Sequence, residues 1–266
     1  MTDRRAFLGT AVLLGPAALL AGCGEQGWRP DLGGAGGGTD RAALSARPGG
    51  APTAAPPGPG EHALGVEDER DSLLYVPASA GTGRAVPLLV SLHGAGGGAR
   101  GGLDLLRAVA DEHGVAVLAP ASRGSTWDAV GGRYGADVDV VDRSLRRTSE
   151  LLRVDPERIV VAGFSDGASY ALGLGLANGE LFGDVVAFSP GFVPPARRTG
   201  RPRVFVSHGA ADEVLPIERT SRRIVHELEE DGYDVTFVEF EGGHAVPPEI
   251  VRRAVEWLRL GTPPTG

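Results

Sequence analysis

Apolar positions along the chain fall into two kinds of run. Short branched stretches read as strands buried on both faces: residues 86–92 (Val-Pro-Leu-Leu-Val-Ser-Leu), 115–120, 158–162 (Arg-Ile-Val-Val-Ala), 184–189 and 203–207. Residues 233–240 alternate, and residues 71–77 predict an edge strand ended by Pro77. Between these runs the apolar spacing is helical. Leu103, Leu106 and Ala110 share a face within 103–113, and Val138, Val141, Leu145 and Leu152 do so within 137–153. Further helices are predicted over 168–176, where glycines dilute the pattern, over 216–231 with Pro216 in the first turn, and over 247–260. Strand and helix alternate throughout, which predicts an α/β fold: a mostly parallel sheet with helices on both faces. The loops that carry function in such folds gather at the C-terminal ends of the strands.

The first sixty residues do not share this pattern. Arg4-Arg5 followed by Phe7-Leu8 and an apolar stretch over 9–21 resembles a twin-arginine export signal. Leu20-Ala21-Gly22-Cys23 resembles a bacterial lipobox, in which Cys23 becomes the lipidated N-terminus. The competing reading is a plain secretory signal with a chance cysteine. Residues 24–60 hold 17 Gly or Pro in 37 positions and show no period, so they read as a flexible tether. The expected division is a signal at 1–23, a disordered tether at 24–60 and a folded domain at 61–262. It implies export and a place on the outer face of the cell membrane.

Composition narrows the chemistry. With 266 residues and 42% hydrophobic content, the chain supports one sizeable core. A net charge of −8 argues against nucleic acid as a partner. All 26 basic residues are arginine, so Schiff-base and lysine-base mechanisms are excluded. The single cysteine, Cys23, excludes internal disulfides and cysteine-rich metal sites.

The stretch that organises the rest is Gly163-Phe164-Ser165-Asp166-Gly167, between a predicted strand and a predicted helix. A G-x-S-x-G in that setting is a nucleophile elbow. The turn lifts the serine hydroxyl above the sheet edge, and chain passes so close on both sides that glycine is needed there. The helix N-terminus behind Ser165 favours a developing oxyanion.

The body resembles the α/β-hydrolases, in particular the small carboxylesterase/phospholipase group and its polyhydroxyalkanoate-depolymerase-like relatives. The matching pieces are Leu92-His93-Gly94-Ala95-Gly96-Gly97, the elbow, residues 207–216 (Ser-His-Gly-Ala-Ala-Asp-Glu-Val-Leu-Pro) and Glu241-Gly242-Gly243-His244. The resemblance implies a three-layer fold without a large lid, and a triad in the order Ser, Asp, His. Ser165 is then the nucleophile and His244 the base; Asp212 orients the imidazole, with Glu213 as the alternative acid. The backbone N–H groups of Asp166 and Ala95 would form the oxyanion hole. His93 reads as structural. Where the group often carries Gln after the serine, this chain has Asp166, whose carboxylate disfavours anionic substrates. Trp127 and Tyr134, in the 122–135 loop, either line a substrate pocket or pack the loop.

The expected activity is hydrolysis of small carboxylic esters through an acyl-enzyme, by a monomer that needs no cofactor or metal. Depolymerase, feruloyl-type or thioester hydrolysis stand beside it. Two other classes are a non-catalytic tethered binding protein on the same scaffold, and a metal-dependent enzyme using His208, Asp212 and His244.

Overall fold

Each branched run has two faces to bury, and the fold supplies a helix layer for each. A computed structural model describes residues 39–78, 80 and 84–260. The chain divides into two compact units, Met1–Ala35 and Gly36–Gly266, and the described residues all belong to the second. The stretch read as an export signal and Cys23 lie outside them.

Eight strands form one sheet: β1 Gly60–Ala63, β2 Leu73–Val76, β3 Val86–Leu92, β4 Ala116–Ala119, β5 Val154–Phe164, β6 Asp184–Phe188, β7 Arg203–Gly209 and β8 Val235–Phe240. Their spatial order is β1-β2-β4-β3-β5-β6-β7-β8. The β1–β2 and β2–β4 pairs are antiparallel and the remaining pairs are parallel. Helices α1 (Ala99–His113) and α5 (Pro248–Leu258) cover one face. Helices α2 (Ala136–Leu151), α3 (Asp166–Ala177) and α4 (Ser221–Glu230) cover the other. β3 shows how one strand serves both layers. Leu88, Val90 and Leu92 enter the α2/α3 layer, while Leu89 enters the α1/α5 layer. Each such leucine contributes about 2 kcal/mol of burial. The result is the expected three-layer α/β architecture, which is that of the α/β-hydrolases.

Three expectations are corrected. The first is the domain boundary at residue 61. Residues 41–48 alternate outward and inward, and Ala42, Leu44 and Ala46 are buried in the α2/α3 layer. Asn178 clamps this arm: its Oδ1 accepts the Leu44 N–H at 2.8 Å, and its Nδ2 donates to the Ala42 carbonyl at 2.8 Å. Asp142 on α2 accepts the N–H groups of Ser45 and Ala46, both at 2.7 Å, and the Ser45 hydroxyl at 2.6 Å. Burial pulls the Asp142 pKa up, but these donors outweigh it and hold the carboxyl below its ordinary value. The contribution is therefore present above the unfolded carboxylate pKa and is lost as pH falls through the folded value. From at least residue 41 onward the stretch assigned to a tether is part of the body.

Second, β2 is not the edge of the sheet, because β1 pairs along it with Gly60 opposite Val76. Third, the 216–231 helix is broken. A 3-10 turn at Ile217–Arg219 ends at Thr220, whose φ of −123° and ψ of −99° are not helical, and α4 starts after it. Pro216 precedes the turn instead of opening the helix. Among the described residues no helix is long and apolar enough to cross a membrane.

Candidate active site

β5 ends at Phe164 and α3 starts at Asp166, so the chain reverses across Ser165 alone. Ser165 has φ 56° and ψ −119°, a left-handed conformation that costs a non-glycine residue about 1–3 kcal/mol. The surroundings fix it. Its N–H donates to the Phe188 carbonyl at 3.0 Å, and its carbonyl accepts from Ala168 and Ser169. A Cβ on Gly163 would lie 2.3 Å from the Gly167 carbonyl oxygen, and one on Gly167 would lie 2.2 Å from that of Leu92. Backbone fills the space on both sides of the serine, which is why both positions are glycine.

Two further strand ends bring in the partners. β7 runs into the loop that holds Asp212, and β8 into the loop that holds His244. Ala210 N–H donates to the Phe240 carbonyl and Ala211 N–H to that of Gly242, stapling the two loops together. Gly209 lets them approach, since a Cβ there would sit 2.4 Å from both the Gly242 and the Gly243 carbonyl oxygens. His244 Nδ1 lies 2.6 Å from Asp212 Oδ2, and His244 Nε2 lies 2.9 Å from Ser165 Oγ. A carboxylate oxygen only accepts, so Nδ1 carries the hydrogen and Nε2 accepts the Ser165 O–H. Asp212 is buried, and its Oδ1 accepts the N–H groups of Val214 and Leu215 at 2.9 and 2.8 Å. Burial alone would raise its pKa. The Leu215 N–H and the two neighbouring imidazoles, His244 and His208, outweigh that and leave it below the ordinary carboxylate value. Glu213 is exposed and makes no hydrogen bond to His244 among the described residues.

The 93–98 loop packs directly on the elbow. A Cβ on Gly94 would be 3.4 Å from that of Ser165. His93 holds this loop from beneath, with Nδ1 donating to the Gly94 carbonyl at 2.8 Å and Nε2 accepting the Ser122 N–H at 3.0 Å. Burial keeps its pKa below the ordinary histidine value, so it serves as a neutral strut. Ala95, in this loop, is exposed, and Asp166 opens α3. The Asp166 carboxylate accepts a short hydrogen bond from the Thr126 hydroxyl.

Trp127 packs the loop instead of lining a pocket, while Tyr134, though buried, forms part of the wall of a cavity with Thr126, Asp128 and Gly135. Both are buried core residues. Trp127 Nε1 donates to the His93 carbonyl at 2.9 Å, and its ring lies 4.8 Å from those of His93 and Tyr170. Tyr134 packs on Tyr170 at 5.5 Å. A buried indole needs one acceptor, and His93 offers it, so the loop folds Trp127 inward against the 93–98 turn.

Other side chains reach the site without a motif to announce them. The Phe164 ring lies 4.7 Å from the His244 imidazole and restricts it. Ser169 Oγ accepts the Gly191 N–H at 2.9 Å, which ties the loop after β6 to the elbow helix. Among the described residues, only two large apolar side chains are left exposed: Phe192 in that loop, at 39%, and Val214 in the Asp212 loop, at 66%. Asp212 is hydrogen-bonded to His244 and lies 3.1 Å from His208 Nε2, and among the described residues no cluster of His, Cys, Asp or Glu is arranged to hold a metal ion.

Comparison with known proteins places this geometry in context. Residues 138–261 match the Phospholipase/Carboxylesterase family. The acyl-protein thioesterase 1 of Gibberella zeae is 31% identical over 119 residues, covering 41% of this chain and 50% of its own length. The chain thus spans about half the length of that curated relative. Among solved structures, esterase PE8 is 25% identical, with a TM-score of 0.59 over 70% of this chain and 96% of its own. A Bacillus cereus carboxylesterase is 20% identical, with a TM-score of 0.56 over 74% of this chain and 96% of its own, and shares the fold.

Proposed function

We propose that this chain is a serine hydrolase of small carboxylic esters, acting through an acyl-enzyme. The observation that carries the proposal is the unbroken hydrogen-bonded relay from Ser165 Oγ through both nitrogens of His244 to Asp212. In this reading His244 Nε2 takes the Ser165 proton as Oγ attacks the ester carbonyl. Asp212, held ionised, stabilises the imidazolium that forms. The Asp166 and Ala95 N–H groups receive the developing oxyanion. His244 then protonates the leaving alkoxide. Water, deprotonated by the same nitrogen, attacks the acyl-enzyme and releases the acid and free Ser165. The relatives named esterase, carboxylesterase and thioesterase support this class of reaction. The thioesterase gives specific reason to include thioesters among the substrates.

The loop between β6 and β7 carries no helix over residues 190–199, so nothing there supplies an amphipathic lid. Each methylene buried adds about 0.8 kcal/mol, and an open cleft gains little of it. The expected result is a kcat/KM that is greatest for short-acyl p-nitrophenyl esters and matching acyl thioesters, with a fluorophosphonate label on Ser165. A protein that neither takes the label nor turns over any member of either series would refute the proposal. A rate that jumps at the substrate's micelle threshold would make it a lipase.

The anchoring reading is also a proposal. It holds that Cys23 is acylated and keeps the hydrolase at the outer face of the cell membrane, more than one chain being needed for a stable anchor. Cys23→Ala is expected to release the protein from the membrane fraction. Wild-type protein that is soluble and lipid-free by mass spectrometry ends that reading.

A further inference from the structure

Asp212 is shared between two imidazoles. Its Oδ2 lies 2.6 Å from His244 Nδ1 and 3.1 Å from His208 Nε2. The reaction as described uses the first imidazole and leaves the second without a task. His208 sits near the end of β7, and both its side chain and that of Asp212 are fully buried.

Its neighbours settle where its proton is. The Leu215 carbonyl, 2.8 Å from Nε2, can only accept, so Nε2 carries the hydrogen. The Ser221 hydroxyl lies 2.6 Å from Nδ1 and donates to that bare nitrogen. The Nε2–H is aligned on the Leu215 carbonyl, and Asp212 Oδ2 is its second neighbour at 3.1 Å. Burial, the largest influence, pushes the His208 pKa below its ordinary value, against the pull of Leu215 and Asp212, so it stays neutral. The charged groups around it are few. Asp212 and His244 face it from their loops. Glu239 lies opposite it in the β7–β8 register and is paired with Arg222 of α4.

We propose that His208 is a positioning residue for the acid: its Nε2–H takes part of the same carboxylate oxygen that holds His244, fixing the Asp212 rotamer and moderating its grip on the imidazolium. The proposal rests on the serine-hydrolase reading above for its purpose, and on geometry alone for its effect. An oxygen shared by two donors gives less to each. Without the second donor, Asp212 would stabilise protonated His244 more strongly and keep it from acting as a base. Ser221, on the far side of His208 from Asp212, sets the tautomer on which this depends.

The test is an imidazole ¹⁵N NMR titration of the full chain, run beside the pH profile of kcat/KM. In the wild type, the expected signal of His208 is a neutral ring protonated on Nε2 at neutral pH and above. In His208→Ala the His244 titration is expected to move up by about half to one unit, a 3- to 10-fold change in proton affinity. The acid limb of kcat/KM should follow it, with KM little changed. Ser221→Ala should shift both in the same direction by less. His208→Gln, whose amide can donate from near the Nε2 position, should bring them back towards wild type. A purely structural role would lower Tm without moving His244. A wild-type His208 that carries its proton on Nδ1, or that titrates in this range, overturns the proposal whether or not the variants fold. So does an unmoved His244 in folded Ser221→Ala and His208→Ala. The NMR readout needs no substrate, so it separates the two ideas. Shifted imidazoles without ester turnover would sink the proposed function alone, and turnover with unmoved imidazoles would sink the role of His208 alone.

Discussion

Ser165→Ala is expected to give a folded protein with ester turnover reduced by about 10³-fold or more, close to what the oxyanion donors and binding supply alone. The fold survives because alanine keeps the Cβ and the backbone contacts. The Ser165 N–H bond to Phe188 and the carbonyl bonds from Ala168 and Ser169 are main-chain and unaffected. The hydroxyl itself contributes one bond, to His244. Asp212→Asn is expected to cost about 10⁴-fold in kcat by a different route. Its amide can turn an N–H towards His244 Nδ1, forcing the imidazole proton onto Nε2, where it opposes the Ser165 hydroxyl. The opposite orientation is disfavoured, because it would turn the amide N–H groups onto the Val214 and Leu215 N–H groups. Steady-state kinetics with a short-acyl ester, alongside circular dichroism, checks both. Ser165→Ala protein with near-wild-type turnover would end the acyl-enzyme mechanism.

Gly209→Ala is the second large effect. The added methyl would stand 2.4 Å from two backbone oxygens, those of Gly242 and Gly243, and neither is the end of a flexible side chain. The His244 loop must move away, and His244 is the next residue after Gly243. Displacement of a catalytic group by about 1 Å costs about 10²-fold in rate. The overlap is expected to cost about 1–3 kcal/mol in stability. Loss of kcat should exceed any rise in KM, because the moved group acts on the reacting atoms. Gly243→Ala is the control, since its methyl would meet the Ala211 oxygen at 3.7 Å, an ordinary contact. Urea melts and kinetics on the pair check this. If the two variants behave alike, close approach at Gly209 is not what sets the loop.

The parts of the molecule that could be read from sequence are those where chemistry or sterics leaves little choice. Gly163 and Gly167 flank the serine because backbone occupies the space a side chain would need. Ser165, Asp212 and His244 could be picked out because each follows a strand, and parallel strands bring their C-terminal ends to one edge. The arm at 42–46 was hidden for a compositional reason. Its inward positions are Ala42, Leu44 and Ala46, a period-2 signal written mostly in alanine and set among glycines and prolines. What fixes the arm is Asn178 and Asp142, far along the chain. Trp127 was ambiguous because an aromatic in a loop after a strand suits a pocket and a core equally. The deciding fact is the acceptor on its ring nitrogen, a carbonyl 34 positions away. His208 lies in a strand-end motif whose function seemed complete with Asp212, and its bond to Ser221 joins two elements that no local pattern links.

The two exposed apolar side chains, Phe192 and Val214, have a consequence for how such a protein changes over generations. Ser165 and Asp212 are buried and His244 is half-buried, glycines crowd the turns that carry them, and the proposed oxyanion donors belong to the main chain, so mutation there is punished at once. Phe192 and Val214 hang from loops that are pinned through backbone: Gly191 N–H to Ser169 Oγ on one side, Val214 N–H to Asp212 Oδ1 on the other. Replacing either side chain leaves those pins in place and removes little from the core. Inherited variation can therefore accumulate at these two exposed loop positions, while the relay and the fold stay under constraint. The outer surface of these loops and the pins that hold them are carried by different atoms, and a lineage can revise the first without rebuilding the second.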